Sequence, residues 1–346
     1  MLFRHRRCYL MRVLFLSAFL SCLTFASSAQ VSPSPQPAPI GGTQSPNAAD
    51  HGSQTTDAQQ EQPANDEGSA FVFKKQVEEV VLHATVRDQQ GRLLTNLDRS
   101  AFAVFEDGTP QVITSFRRED VPVAMGIVID NSGSMRDKRA SVAAGVMNLI
   151  RASNPADEVF VVNFGTEPYL DQDFTSDPAL LQIALQRFST QGTTALYDAI
   201  VASAAHLRRS ARLDKKVLLV ITDGQDNVSR ETLREAVYGL QQDKNGATLY
   251  AIGLRSEDLQ RSGTQALETL AASTGGVAFF PQTLGEVDDI TRSIAHAVRS
   301  QYGIGYKSTN PRATGYRRIQ VDARAPGYGK LTVLTRSGYY AGESVH

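Results

Sequence analysis

The 346-residue sequence has no tryptophan and only two cysteines, Cys8 and Cys22, both within its first 29 residues. Without that segment the chain has no thiol, which excludes disulfides, cysteine–metal sites and cysteine nucleophiles. Its longest apolar run, VLFLSAFLSCLTFA, is shorter than the ~20 residues that a membrane-spanning helix needs. These absences leave a folded chain whose function depends on other side chains.

Residues 1–29 have the three parts of a secretory signal peptide. The basic start contains four arginines: Arg4, Arg6, Arg7 and Arg12. The apolar run follows, and ASSA then supplies the small residues of a cleavage site, so we expect cleavage after Ala29. The short apolar run disfavours the alternative of an uncleaved membrane anchor. The apolar residues that follow Cys22 disfavour a lipoprotein site at that cysteine. A cysteine-free exported chain fits a bacterial periplasm, or secretion to the cell surface.

The sequence also lacks the charge pattern of a nucleic-acid-binding protein. Removal of residues 1–29 leaves 31 of the 35 basic residues against 36 acidic ones, a formal net charge of −5. No long basic run remains, whereas nucleic-acid binding requires clustered positive charge. A nucleic-acid partner is therefore excluded.

Common catalytic motifs are absent as well. The sequence contains no G-x-S-x-G, no H-E-x-x-H and no P-loop, and its histidines follow no recognisable triad order. A phosphotransferase would often carry two aspartates after its first strand, and Ser132 takes the second of those places here. We therefore expect a protein that is not an enzyme, with a metal-dependent hydrolase as the lesser alternative.

The composition divides the chain into segments. Residues 30–69 are rich in Pro, Ser and Gln and have few large apolar side chains, which predicts a disordered linker. Residues 70–120 are β-rich: Val80 to Val86 alternate with more polar residues, and Asp107–Gly108 indicates a hairpin turn. Residues 302–346 are β-rich again, with GKLTVLTRSGYYA as a final strand.

Residues 121–301 alternate apolar runs with amphipathic stretches, which predicts an α/β fold with a doubly wound, mainly parallel sheet. The less apolar EPYLDQDFT is interpreted as an edge strand. We expect the helices at 138–152, 178–188, 195–211, 230–243, 264–274 and 286–300. The strands of 70–120 and 302–346 are each too few to bury a face, so we expect them to pair in one small β-sandwich, with independent tails as the alternative.

Three loops of the α/β region carry oxygen-bearing side chains. The strand GIVID ends at Asp130 and is followed by Ser132 and Ser134, KVLLVIT precedes Asp223, and QGTTALYDA contains Thr194. Ligands of doubly wound sheets bind beyond the carboxyl ends of the strands. The sequence therefore predicts that these side chains share one edge of the sheet.

These motifs resemble those of von Willebrand factor A (integrin I-type) domains: DNSGSM is similar to D-x-S-x-S, QGTTALYDA to the G-x-T loop, and VITDG to the late aspartate. The wider arrangement resembles bacterial exported proteins related to this family. The resemblance implies a metal-ion-dependent adhesion site and a protein-binding role. Its metal ligands, direct or through water, would be Asp130, Ser132, Ser134, Thr194 and Asp223.

The chemistry of these side chains agrees with the resemblance. Mg²⁺, the expected ion, prefers six oxygen ligands and keeps some waters, and Mn²⁺ or Ca²⁺ are alternatives. Two aspartates balance the charge of the ion, and hydroxyls add ligands without charge. The ion then remains open to a carboxylate from the Asp or Glu of a protein partner.

Simpler interpretations remain for single residues and for the whole site. DNSGSM alone is also typical of a helix N-cap. Asp226 and Asn227 are interpreted as solvated loop residues, with a second metal as the alternative, and Asp198 is expected to face solvent or cap locally. The alternative function is a structural or assembly scaffold whose site is occupied by its own chain.

If the signal peptide is cleaved after Ala29, the exported protein begins at Gln30 and contains no cysteine. Intact mass spectrometry should give the mass of residues 30–346, unchanged after iodoacetamide treatment. A retained Cys8 or Cys22, detected as an added carbamidomethyl group, would contradict the prediction.

Overall fold

The computed structural model of the chain describes residues 79–118, 120–187, 192–256 and 259–342. The predicted signal peptide and linker (residues 1–69) and the start of the first β-rich segment lie outside the described residues. All described residues belong to one unit, Val72–His346. No helix among them is long and apolar enough to cross a membrane.

The described elements follow the predicted order of β, α/β and β segments. The first strands are β1 (Val80–Arg87), β2 (Phe102–Glu106), β3 (Thr109–Gln111) and β4 (Ile113–Arg117). The α/β strands are β5 (Val123–Asp130), β6 (Glu158–Phe164), β7 (Pro168–Thr175), β8 (Lys215–Thr222), β9 (Thr248–Gly253) and β10 (Ala278–Phe279). The helices are α1 (Arg139–Ala152), α2 (Pro178–Gln186), α3 (Leu196–Ser210), α4 (Leu233–Gln241), α5 (Arg261–Thr274) and α6 (Glu286–Arg299). The last strands are β11 (Tyr302–Tyr306), β12 (Gly315–Ala323), β13 (Thr332–Leu334) and β14 (Gly338–Ala341).

The central sheet has the strand order β10-β9-β8-β5-β6-β7, and its neighbours are parallel except for the edge strand β7. Helices α1, α2 and α6 cover one face, and α3, α4 and α5 cover the other. Two apolar cores therefore enclose the sheet, which explains why its strands are continuous apolar runs rather than alternating ones. The predicted fold class and the edge position of EPYLDQDFT are confirmed.

Strand β5 lies in the middle of this sheet and every one of its residues is buried. Its side chains alternate between the two cores, with Ile127 in one and Val128 in the other. On the same face of the strand as Val128, Gly126 leaves room for Phe160, because a Cβ at this position would lie 2.3 Å from the phenyl ring. The close packing fixes β5, and with it the position of Asp130 at its end.

The flanking strands form two further four-stranded sheets, β13-β1-β11-β4 and β14-β12-β2-β3. Strands from before and after the α/β region pair directly, as β1 does with β11 and β2 with β12. The side chains of both sheets contribute to one apolar core. This arrangement is the expected β-sandwich from both parts of the chain, and the described strands are not independent tails.

A buried carboxylate connects these strands across the sandwich core. The side chain of Glu106, which is 0 % exposed, forms a 2.5 Å ion pair with Arg317. It also accepts hydrogen bonds from the hydroxyls of Tyr306 (2.6 Å), Tyr339 (3.0 Å) and Ser308 (2.5 Å). Because every partner comes from the part of the chain after α6, this network ties β2 to the last strands.

Several details of the sequence prediction differ in the structure, among them the start of α5, which lies at Arg261 rather than at 264. The expected final strand GKLTVLTRSGYYA is two short strands, β13 and β14, in different sheets, because the buried Arg336 lies between them and bonds the carbonyl of Lys244. Strand β10 comprises two residues only. Helix α4 begins at Leu233 rather than at 230, because Thr232 and Glu235 form a capping box.

Replacing Glu106 by Ala should destabilise the sandwich by about 3–5 kcal/mol, because it leaves the buried hydroxyls of Tyr306 and Tyr339 without their acceptor and leaves the buried Arg317 with Asp107 as its remaining carboxylate partner. Urea unfolding of the chain from residue 30 measures the loss. The control is Glu268→Ala on the exposed face of α5, which should change stability by less than about 0.5 kcal/mol. Equal stability of the two variants would contradict the structural role of Glu106.

Candidate functional site

The candidate site lies where the strand order of the central sheet reverses. Strand β5 continues through α1 to β6 on one side, whereas β8 lies on its other side. The carboxyl ends of β5 and β8 therefore border the crevice at which doubly wound sheets bind ligands. Asp130 is the last residue of β5, and Asp223 directly follows β8.

Asp130 is 0 % exposed, and both of its carboxylate oxygens accept hydrogen bonds. Oδ1 accepts from the backbone N–H of Ser132 at 2.8 Å, and Oδ2 accepts from the hydroxyl of Thr222 at 2.5 Å. Burial raises the pKa of Asp130 and the charge of Asp223 acts in the same direction, although these hydrogen bonds oppose the shift. Without a cation, the buried charge of Asp130 is therefore disfavoured.

Asp223 is also 0 % exposed and contacts the loop that follows β5. Its Oδ1 accepts a hydrogen bond from the hydroxyl of Ser134 at 2.7 Å. The Oγ atoms of Ser132 and Ser134 are 3.2 Å apart. The other carboxylate oxygen of Asp223, Oδ2, forms an ion pair with Lys138. The two sequence-distant aspartates thus share one group of polar side chains.

Thr194 reaches the same place from the loop before α3. Its backbone N–H donates to Asn227 Oδ1 at 2.9 Å, and its carbonyl accepts from the backbone N–H of Asn227 at 3.1 Å. A Cβ on Gly224 would lie 3.3 Å from Thr194 Oγ1, so the absence of a side chain at 224 lets this hydroxyl approach the turn after Asp223. The neighbouring Thr193 lies at the same cleft, and its hydroxyl donates to Thr166 Oγ1 at 3.3 Å.

The three predicted hydroxyl residues, Ser132, Ser134 and Thr194, line one cleft of about 290 Å³. The structure thus brings the five predicted side chains together: the hydroxyls line the cleft, and the aspartates lie buried beside it. Two carboxylates and three hydroxyls form an all-oxygen donor set, which suits a hard dication such as Mg²⁺. Within the described residues no group of three or more His, Cys, Asp or Glu offers an alternative metal site.

Sequence reasoning missed several residues that support this site. Thr222 and Asn227 orient the predicted ligands, and Lys138 pairs with one of them. Arg139, 1 % exposed, donates to Asn163 Oδ1 at 3.0 Å and is close enough to Asp130 to feel its charge. The only sequence signal for these supporting residues was the Ser/Asp/Gly-rich composition of the loops. Their hydrogen bonds and ion pairs join parts of the chain that are distant in sequence.

The loop after β8 corrects two interpretations. Asp226 and Asn227 are not simply solvated: Asp226 accepts from the backbone N–H of Tyr197, and Asn227 holds Thr194. Asp198 was expected to face solvent or to cap locally, but it accepts hydrogen bonds from the backbone N–H groups of residues 230 and 231, which are 32 and 33 positions away in the chain. These hydrogen bonds hold the loop after β8 against the loop before α3 and the first turn of that helix.

The fold and this site define a class of α/β domain with a ligand crevice at the carboxyl edge of its sheet. Residues 125–225 match the family model of the von Willebrand factor type A domain. That range contains all five predicted site residues and the three loop motifs that resemble this family. No curated protein matches the chain.

Several solved structures are similar to this chain at low identity. A von Willebrand factor type A protein from Catenulispora acidiphila is 16% identical over 78% of this chain and 75% of its own, with a TM-score of 0.45. The von Willebrand factor domain of the type V pili tip protein Mfa5 from Porphyromonas gingivalis is 14% identical over 52% of this chain and 97% of its own, with a TM-score of 0.40.

A third similar structure is proximal thread matrix protein 1 from the mussel byssus, whose metal-ion-dependent adhesion site motif is occupied by zinc. It is 16% identical over 56% of this chain, with a TM-score of 0.43, and the chain spans about half (49%) of its length. With TM-scores below 0.5, these similarities add nothing to the family match.

The raised pKa of Asp130 predicts a pH-dependent stability in the absence of metal. Its carboxyl holds a proton more tightly in the folded than in the unfolded chain, so the metal-free protein should lose stability as pH rises above about 3.8 and through the raised value. Asp130→Asn should remove this loss and be more stable than the wild type in EDTA at pH 7.

Urea unfolding of both proteins in EDTA between pH 3.5 and 7 provides the measurement. The difference between them isolates Asp130 from the other titrating groups. If the wild type is as stable as Asp130→Asn at pH 7, ionising the buried carboxyl of Asp130 does not destabilise the metal-free fold, and the prediction is wrong.

Proposed function

We propose that this chain is a divalent-cation-dependent protein-binding module that uses a metal-ion-dependent adhesion site. The observation that carries the proposal is the convergence of Asp130 and Asp223 with three hydroxyls beside one cleft. The metal ligands would be Asp130, Ser132, Ser134, Thr194 and Asp223, directly or through water. We propose Mg²⁺ as the ion, with Mn²⁺ or Ca²⁺ as alternatives.

The charges of the site explain why a carboxylate would be its ligand. Two buried aspartates balance a dication, and the hydroxyls of Ser132, Ser134 and Thr194 add no further negative charge. A bound cation would supply a Lewis-acidic centre that attracts an outside anionic oxygen. An Asp or Glu side chain of a protein partner provides such an oxygen and is small enough for a cleft of about 290 Å³.

A binding role fits the cleft better than catalysis. Its described lining consists of glycine, hydroxyl and amide residues, including Gln225, Asn227 and Gln260. This lining contains no histidine, lysine or carboxylate that could act as a general acid or base. A metal-dependent hydrolase is therefore the weaker candidate. The signal-like segment 1–29 favours action in the periplasm or at the cell surface.

Metal binding is tested by titrating the chain from residue 30 with Mg²⁺ in a calorimeter. The wild type should bind one ion, and Asp130→Ala should bind none, because a buried carboxylate ligand is lost. The control is Asp137→Ala, which removes an exposed carboxylate of the same loop region and should bind like the wild type. Equal binding by all three proteins would contradict the site.

The interaction role needs a separate experiment. Immobilised wild type and Asp130→Ala are incubated with exported proteins from the same source, in Mg²⁺ and in EDTA. We expect partners that the wild type retains in Mg²⁺ only and that Asp130→Ala does not retain. Identical captured proteins in all conditions would contradict the adhesion role, and metal binding without any capture would favour the self-occupied scaffold.

A further inference from the structure

A lysine of this chain already neutralises one of the two candidate metal-binding carboxylates. The ammonium of Lys138 pairs with Asp223 Oδ2. The other oxygen of that carboxylate accepts the hydrogen bond of Ser134. Lys138 lies at the start of α1, four residues after Ser134, so one loop supplies both the hydroxyls and this cation.

The backbone of Lys138 is held in place, but its side chain has a route out. Its N–H donates to the carbonyl of Met135 at 2.9 Å, and its carbonyl accepts from Val142 at 3.0 Å in the first turn of α1. The side chain is 18 % exposed, whereas Asp223 is 0 % exposed. Because the ammonium is on a flexible four-carbon chain, it can leave Asp223 without any movement of the loop or helix.

Electrostatics favours a cation at this position. Asp130 and Asp223 are both fully buried, and two neighbouring carboxylates repel one another in a poorly solvated place. An ammonium on Asp223 removes half of that negative charge. A dication bound at the same oxygen would repel the ammonium strongly, so Asp223 Oδ2 accommodates one of the two at a time.

We propose that Lys138 is a tethered competitor of the divalent cation, and that it sets the affinity of the site for metal. The proposal rests on the proposed metal site. Without metal, Lys138 stabilises the buried carboxylates and keeps the loops in place. Metal uptake displaces the ammonium from Asp223 to the solvent side, so part of the metal's binding energy is spent on breaking this ion pair.

The test measures Mn²⁺ affinity of the chain from residue 30 by calorimetry and by electron paramagnetic resonance of free Mn²⁺. Lys138→Met keeps the length and apolar stem of the side chain but removes its charge. We expect Lys138→Met to bind Mn²⁺ about tenfold more tightly than the wild type, the equivalent of one lost charge-assisted hydrogen bond. Lys138→Arg, which keeps the positive charge, should remain close to the wild type.

A matched control is available in Lys216, which forms a 3.0 Å ion pair with Asp243 and has a side chain 13 % exposed. Lys216→Met should leave Mn²⁺ affinity unchanged. The melting temperatures add a second readout. In EDTA, Lys138→Met should melt below the wild type, because its carboxylates lose their cation, and saturating Mn²⁺ should remove this deficit. Lys138→Gln replaces Lys138→Met if the methionine variant does not fold.

The outcomes separate this inference from the proposed function. Unchanged or weaker Mn²⁺ binding by Lys138→Met, with normal binding by the wild type, overturns the role of Lys138 and leaves the metal site intact. No Mn²⁺ binding by the wild type and all variants overturns the metal site, and the role of Lys138 with it. Tighter binding by Lys138→Met but not by Lys216→Met supports the inference.

Discussion

Two carboxylates that are closed off from water determine the chemistry of this protein. Asp130 and Asp223 end neighbouring strands of the central sheet, and neither side chain is exposed. Burial and the charge of Asp223 both raise the pKa of Asp130, so the negative charge of Asp130 needs balancing groups close by. The surrounding groups supply this balance through hydrogen bonds from Ser134 and Thr222 and the ion pair with Lys138.

The rest of the fold keeps that pair in place. The paired apolar strands β5 and β8 hold the two aspartates at one edge of the sheet. Asn227 holds the loop before α3 in place through its hydrogen bond with Thr194. The β-sandwich joins the strands before the α/β region to those after it, through the buried Glu106 network. Both ends of the α/β region are therefore anchored in one sandwich.

Much of this arrangement could be predicted from residue patterns, because it depends on local periodicity. Apolar runs identified β5 and β8, and the motifs beside them identified Asp130 and Asp223. The split of the last β segment into β13 and β14 could not be predicted, because it depends on the burial of Arg336 against Lys244. Lys138 was missed for the same reason, since its partner is 85 residues away in the chain.

The sequence by itself determined the element types, the order of the segments and the oxygen-bearing residues at the strand ends, because hydrophobic periodicity and turn chemistry are local properties. Only the tertiary structure decided that β8 lies next to β5, that Thr194 approaches the turn at Gly224, and that a lysine faces Asp223. Strand order and side-chain contacts arise from packing between distant segments, and the burial of two like charges exists only once that packing is complete.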